Sequence, residues 1–234
     1  MKKPKVVAIV QARMSSTRCP GKVLKVIDSR GNTLLDHVIA RLKKSKVIDE
    51  IVIATTNNPR DEEIVEYAKK KKIPFFRGPE EDVLERFYEA AVKHKAEIIV
   101  RICADNPFIY VEGMDEMIKD HIRSGRDFTF NGVYEGGAPK GTVSEVISFG
   151  ALKKANELAK GKKYREHVTP FLKEHPEIFK IKKYPVPSWL SGKRYDLAVD
   201  YPEDIDKVRT ILDHFEQTFV PLREVIKYLE EKVN

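Results

Sequence analysis

The chain has 234 residues, 41% of them hydrophobic and 34% charged, with 13 Pro, 12 Gly and 2 Cys. That length suits one domain with a sizeable core, and the hydrophobic share excludes global disorder. With 43 Lys+Arg against 36 Asp+Glu the formal charge is +7, which fits an anionic partner and names none.

The longest apolar run, Val6 to Val10, is far too short to cross a membrane, and the N-terminus lacks the apolar segment of a signal peptide. Cys19 and Cys103 cannot frame a disulfide scaffold, so the expected compartment is the cytoplasm. Glutamine is confined to Gln11 and Gln217, and acids are interleaved with bases, as in Asp61-Glu62-Glu63 ahead of Lys69 to Lys72. Such a composition is that of heat-adapted proteins, so much of the charge is read as surface stabilisation.

In chain order, Lys5 to Gln11 reads as a strand buried on both faces. Thr33 to Lys44 is a helix with Leu34, Leu35, Val38, Ile39 and Leu42 on one stripe. Glu50 to Ala54 is a second strand, Arg60 to Lys72 a helix, Pro74 to Phe76 a short strand and Val83 to Lys95 a helix. Glu97 to Ile102 is a further strand and Gly113 to Arg123 a helix. This alternation predicts an α/β fold, a mostly parallel sheet with helices on both faces. Beyond it, Gly132 to Gly141 is a turn-rich loop or lid, and helices are expected over Phe149 to Lys160 and Tyr164 to Lys173. Tyr195 to Val199 reads as a strand, and helices over Pro202 to Phe215 and Leu222 to Lys232 close the chain. The expected organisation is a single domain, 1–234, with 132–193 as an appended lobe.

Ligands of open α/β sheets sit beyond the carboxyl ends of the strands. The loop Gln11 to Lys22 follows the first strand and carries Arg13, Arg18 and Lys22, the hydroxyls of Ser15, Ser16 and Thr17, a Pro20-Gly21 turn and no acid. Its backbone amides and cations suit a polyphosphate. It is not a Walker A loop, because Lys22 is not followed by Ser or Thr, and there is no GxGxxG elsewhere. Asp105, after the strand ending at Ile102, and Asp200, after Val199, could converge on one hard cation beside phosphate, although each alone could be a turn or capping residue. The six histidines show no HExxH pattern and the cysteines no CxxC spacing, so zinc is unsupported. His37 is expected to be a partly buried structural residue, and Trp189 and Tyr195 to lie in a core or interface. The cations at Lys69 to Lys72 are expected to be solvated at a helix end.

The run Ala12-Arg13-x-x-Ser16-Thr17-Arg18-x-Pro20-Gly21-Lys22 resembles the loop of CMP–acidic-sugar synthetases, most closely the SpsF-type (spore coat polysaccharide) cytidylyltransferase-like branch. The resemblance extends to Ile51–Thr56, Phe76–Leu84, Arg101–Ile109, Arg165–Pro170 and Leu197–Asp204. It implies a nucleotide-diphospho-sugar transferase-like fold with a dimerisation lobe, and a homodimer. It also implies CTP bound by Ala12, Arg13, Ser15, Ser16, Arg18 and Lys22, with Gly78 and Asp82 near the nucleoside. Asp105 and Asp200 would hold Mg²⁺, and Arg13, Lys22, Asp105 and Asp200 form the catalytic set. Two positions depart from the family pattern: Cys19 replaces Leu, and Val143 replaces an acid in Lys140 to Glu145, a segment expected near the acceptor. Arg165-Glu166-His167 fits lobe packing and substrate contact equally.

The implied reaction is transfer of CMP from CTP to an acidic sugar, a 2-keto-3-deoxy sugar acid, or a similar anionic acceptor, with release of pyrophosphate. No general base is identifiable. The alternative enzyme class is a glycosyltransferase using a nucleotide sugar, against which the triphosphate-type loop argues. A nucleic-acid-binding protein would need a basic stripe with interleaved aromatics, which the sequence lacks, and no membrane partner is expected.

Overall fold

The computed structural model describes residues 3–132, 137–215 and 217–233. The expected loop from Gly132 to Gly141 therefore lies partly outside the described residues.

Strand β1 (Val6–Gln11) is the hub. Its side chains are apolar on both faces and it pairs in parallel with β2 (Glu50–Thr56) on one side and β4 (Ile98–Cys103) on the other. β3 (Phe75–Gly78) extends the sheet in parallel beyond β2. Helix α1 (Leu34–Leu42) opens on a capping box between Thr33 and Asp36 and buries its Leu34, Leu35, Val38, Ile39 and Leu42 stripe. α2 (Glu62–Lys71), α3 (Val83–Lys93) and α4 (Val111–Ser124) complete the crossovers. Two apolar clusters result, one on each face of the sheet.

The second half departs from the expected pattern. Three short strands, β5 (Phe128–Phe130), β6 (Glu145–Ser148) and β7 (Ile181–Lys183), join the same sheet, whose order is β3-β2-β1-β4-β6-β5-β7. β6 runs antiparallel to both β4 and β5. At three or four residues, none carries enough alternation to be read from sequence. β6 lies between β4 and β5, and α5 (Phe149–Leu158) packs its Ala151, Leu152 and Ala155 onto the sheet core.

The helix expected over Tyr164 to Lys173 is two, α6 (Lys162–Glu166) and α7 (Pro170–Glu174). Pro170 has no N–H to bond back, and His167 is extended at φ −128° and ψ 136°. The expected strand Tyr195 to Val199 joins no sheet. Its only ladder contact among the described residues is an isolated bridge between Lys140 and Asp196, and Leu197 and Val199 are buried in a third cluster with α8 (Pro202–His214) and α9 (Leu222–Val233).

The order of the central strands sets the site. From β1 the chain winds outward through β2 and β3, then returns to place β4 on the other side of β1. Connections leaving β1 and β4 diverge to opposite sides, which opens a crevice at their carboxyl ends. Gln11 and Cys103 are register partners, so the two loops that follow start level with each other.

Candidate active site

A cleft of about 390 Å³ opens at this switch point. It is lined by Arg13, Ser16, Thr17, Arg18 and Lys22 from the loop after β1 and by Cys103, Ala104 and Asp105 after β4, with His167 and Asp200 on its far walls. Residues more than 180 positions apart in sequence therefore share one small volume.

The loop holds its shape by local bonds. Gly21, at φ +68°, takes the left-handed turn that a side chain disfavours, and its N–H bonds to Met14 O at 3.0 Å. That turn aims Lys22 inward. Its Nζ donates to Asp105 Oδ2 at 2.8 Å and to Val199 O at 2.7 Å, and lies 3.5 Å from Asp200 Oδ1. The same Asp200 oxygen accepts from Arg18 Nη2 at 2.7 Å, and the Arg18 guanidinium stacks 5.0 Å from the Tyr201 ring centroid. Burial disfavours charge on Asp200, yet Lys140, Lys22 and Arg18 hold its carboxyl below the usual range. Arg13 has no hydrogen-bond or ion-pair partner among the described residues, so it stands in the cleft uncommitted.

Two carboxylates behind the loop were not foreseen as site residues. Asp61, buried, accepts from Met14 N at 2.7 Å and from Thr56 N at 3.0 Å, tying the loop to the end of β2. Glu80 accepts from Ser15 Oγ at 2.5 Å and Asn58 Nδ2 at 2.7 Å, and these bonds hold its carboxyl below the usual range. An acid just after a strand end and ahead of a helix, in Asn57-Asn58-Pro59-Arg60-Asp61, was the available signal for the first. Lys140, a third cation on Asp200 at 2.7 Å, was also missed, because only the fold brings residue 140 to residue 200.

The other expected residues lie elsewhere. Ala12 is buried beneath the loop. Ser15 is turned onto Glu80 and does not line the cleft. Gly78 and Asp82 do not line it either. A Cβ on Gly78 would fall 2.9 Å from Arg86 Cγ, so the glycine admits the buried Arg86, which holds the Pro79 and Glu80 carbonyls. Asp82 caps α3 through Glu85 N at 2.9 Å and pairs with Arg165 at 2.7 Å. The Arg165-Glu166-His167 motif splits: Arg165 ties α6 to α3 through Asp82 and Glu85, whereas His167 faces the cleft. Glu145 is buried between Arg101 and Lys173, each at 2.6 Å, outside the cleft lining.

Burial pushes the Cys103 thiol up to about 11, so it stays protonated at neutral pH and is a poor nucleophile. His37 is buried with Nε2 2.9 Å from Asp28 and Trp189 packs edge-on against Tyr110, as expected, while the exposed cations Lys69 to Lys72 at the end of α2 are partly paired, Lys69 with Glu66 and Lys71 with Asp36.

No three His, Cys, Asp or Glu side chains among the described residues form a metal-binding group. Asp105 and Asp200 nevertheless fit Mg²⁺: both are oxygen donors, and one ammonium reaches both, so they face a common point. Mg²⁺ is commonly held by one or two carboxylates, with phosphates and water completing the shell.

A hydroxyl- and cation-rich loop with two carboxylates at the switch point of an α/β sheet defines a site of the phosphate-binding class. Residues 7–231 match the sequence family described as cytidylyltransferase. An uncharacterized protein of Methanocaldococcus jannaschii is 36% identical over 227 residues, 97% of this chain and 91% of that one. The spore coat polysaccharide biosynthesis protein SpsF of Bacillus subtilis is 35% identical over 88% of this chain and 85% of its own. A cytidylyltransferase structure from Leptospira borgpetersenii superposes with a TM-score of 0.91 at 29% identity, covering 98% of this chain and 95% of that one. The chain belongs to the cytidylyltransferase family. It is accordingly a nucleotidyltransferase, and its fold is the nucleotide-sugar transferase-like one that the sequence implies. No helix among the described residues is long and apolar enough to cross a membrane.

Proposed function

We propose that the protein transfers CMP from CTP to an acidic sugar of the 2-keto-3-deoxy class, or a similar anionic acceptor, with Mg²⁺ as cofactor. The observation that carries this reading is the meeting of Arg13, Arg18 and Lys22 with Asp105 and Asp200 in one cleft. Three cations can offset the charge of a triphosphate, and two carboxylates suit a phosphate-bound divalent ion. The names of two relatives support the choice of acceptor class. SpsF is named for polysaccharide biosynthesis, and a 3-deoxy-manno-octulosonate cytidylyltransferase of Pelobacter propionicus is 30% identical over 49% of this chain, though over only 43% of its own.

In this reading the acceptor oxygen forms a bond to the α-phosphorus. The bond from that phosphorus to the bridging oxygen of the β-phosphate breaks, and pyrophosphate leaves with the electron pair. The acceptor proton passes to solvent. Among the described residues Arg13 has no hydrogen bond or ion pair to give up on engaging the phosphates, while Arg18 and Lys22 exchange Asp200 for phosphate oxygens. Bound Mg²⁺ would neutralise phosphate charge and clamp its geometry. The neutral Cys103 thiol fits direct transfer with no covalent enzyme intermediate. His167 also lines the cleft, and a homodimer belongs to the same reading.

The test is pyrophosphate release with each NTP, Mg²⁺ and a panel of 2-keto sugar acids and anionic alcohols. Release with CTP and one acid supports the reading. Release only with another NTP, or sugar transfer from a nucleotide donor without release, refutes it. Light scattering checks the dimer, which a monomer mass would refute.

A further inference from the structure

Asp200 divides its two oxygens between two sides. Oδ1 takes Arg18 at 2.7 Å and Lys22 at 3.5 Å, and both of those cations line the cleft. Oδ2 takes Lys140 Nζ at 2.7 Å, and Lys140 is not part of the cleft lining. The Lys140 ammonium is held a second time, 2.8 Å from Asp196 Oδ2. Its backbone is tied to the same segment, bridged to Asp196 and accepting from Leu197 N at 3.0 Å. At the next residue, Gly141, φ is +86°, and a Cβ would fall 2.3 Å from Leu197 C and 2.4 Å from Ala198 N. The two segments lie flush, in a contact only glycine permits, and Lys140 is fixed to the segment that presents Asp200. Lys207 also reaches this segment, bonding Asp196 O.

We propose that Lys140 is a positioning residue for the transfer, holding Asp200 by Oδ2 so that Oδ1 is presented to a divalent cation carried in on the phosphates. The proposal rests on the reading that Asp105 and Asp200 meet a phosphate-bound cation. A polyanion entering the cleft draws Arg18 and Lys22 off Oδ1, so Asp200 loses two of its three cations on ligand binding. Lys140, doubly anchored behind the carboxylate, stays. Without it, Asp200 is free to turn away or to keep Arg18, and the cation loses one of its two protein oxygens.

The test is isothermal titration of the full chain with CTP, with and without Mg²⁺, and in parallel with inorganic triphosphate, which has the phosphates and no base. Wild type is compared with Lys140→Met and Lys140→Arg, and thermal melting confirms that each is folded. The Mg²⁺ concentration needed for half-maximal enhancement of binding should rise at least about tenfold in Lys140→Met, because an orienting partner of a metal-binding carboxylate has that scale of effect. Metal-free binding should change little, and Lys140→Arg should recover most of the loss. Equal weakening with and without Mg²⁺, or an unchanged Mg²⁺ requirement, overturns the proposal. If wild type binds Mg²⁺ with triphosphate but not with CTP, the cytidylyl reading fails and the triphosphate arm still decides the role of Lys140. If wild type gains nothing from Mg²⁺ in either arm, both fall.

Discussion

Asp61 gives the sharpest test of how the loop after β1 is held. Its side chain is 1% exposed and accepts four bonds. Oδ1 takes Met14 N at 2.7 Å, and Oδ2 takes Thr56 N at 3.0 Å, Thr56 Oγ1 at 2.5 Å and Thr55 Oγ1 at 3.0 Å. The hydroxyls can rotate to other acceptors, but the two amides cannot. Asp61→Ala therefore leaves the buried Thr56 N–H and the part-buried Met14 N–H unpaired, each costing about 1–3 kcal/mol, of which partial relaxation leaves roughly 2–4 kcal/mol in total. For a chain of this length that corresponds to a melting temperature lower by roughly 5–15 °C. Asp61→Asn should be nearly as damaging. Either orientation of its amide sets an N–H against Met14 N–H or Thr56 N–H, so at most one of the two backbone bonds is recovered. Because Met14 follows Arg13 directly, loosening it displaces a residue that lines the cleft. Half-saturation by CTP should rise by about tenfold or more, since small misplacements at a reacting site are expensive. Differential scanning calorimetry and a pyrophosphate-release assay measure both. If Asp61→Ala and Asp61→Asn melt with wild type and bind CTP as tightly, the anchoring argument is wrong.

Three further outcomes follow from the same geometry. Arg13→Ala removes a side chain with no hydrogen bond or ion pair among the described residues, so stability should stay within about 0.5 kcal/mol of wild type while nucleotide affinity falls; a large drop in melting temperature would refute that reading. Lys22→Ala and Asp105→Asn should each lower turnover by at least about 100-fold in steady-state assays, and wild-type rates in either would remove that residue from the site. His121 is buried with Nδ1 2.8 Å from Thr129 Oγ1, and burial lowers its pKa from 6.5 to about 4. The unfolded chain therefore takes up a proton that the folded chain refuses. This stabilisation is complete above pH 6.5 and is lost as the pH falls towards 4, by up to about 3 kcal/mol. His37, lowered mainly by burial, acts in the same direction. Melting temperature followed from pH 7 to 4.5 should fall less steeply in His121→Asn than in wild type, and parallel curves would refute the assignment.

The sequence by itself determined the alternating first half, because buried parallel strands and amphipathic helices announce themselves through local periodicity. Val6–Val10 and the Leu34 to Leu42 stripe are long enough to be read alone. The loop from Gln11 to Lys22 was equally legible, since its cations, hydroxyls and turn are contiguous. Phe128–Phe130, Glu145–Ser148 and Ile181–Lys183 were not, because strands this short depend on the neighbours they pair with. The same limit governs the site. Asp105 and Asp200 could be proposed from their strand-end positions, but their sharing of Lys22 is a three-dimensional fact. So are the turning of Ser15 onto Glu80, the anchoring of Met14 by Asp61, and the backing of Asp200 by Lys140. Local pattern specifies elements and contiguous loops. Which polar groups face one another across 47 to 182 residues of chain is decided only when the sheet order brings the loop ends together.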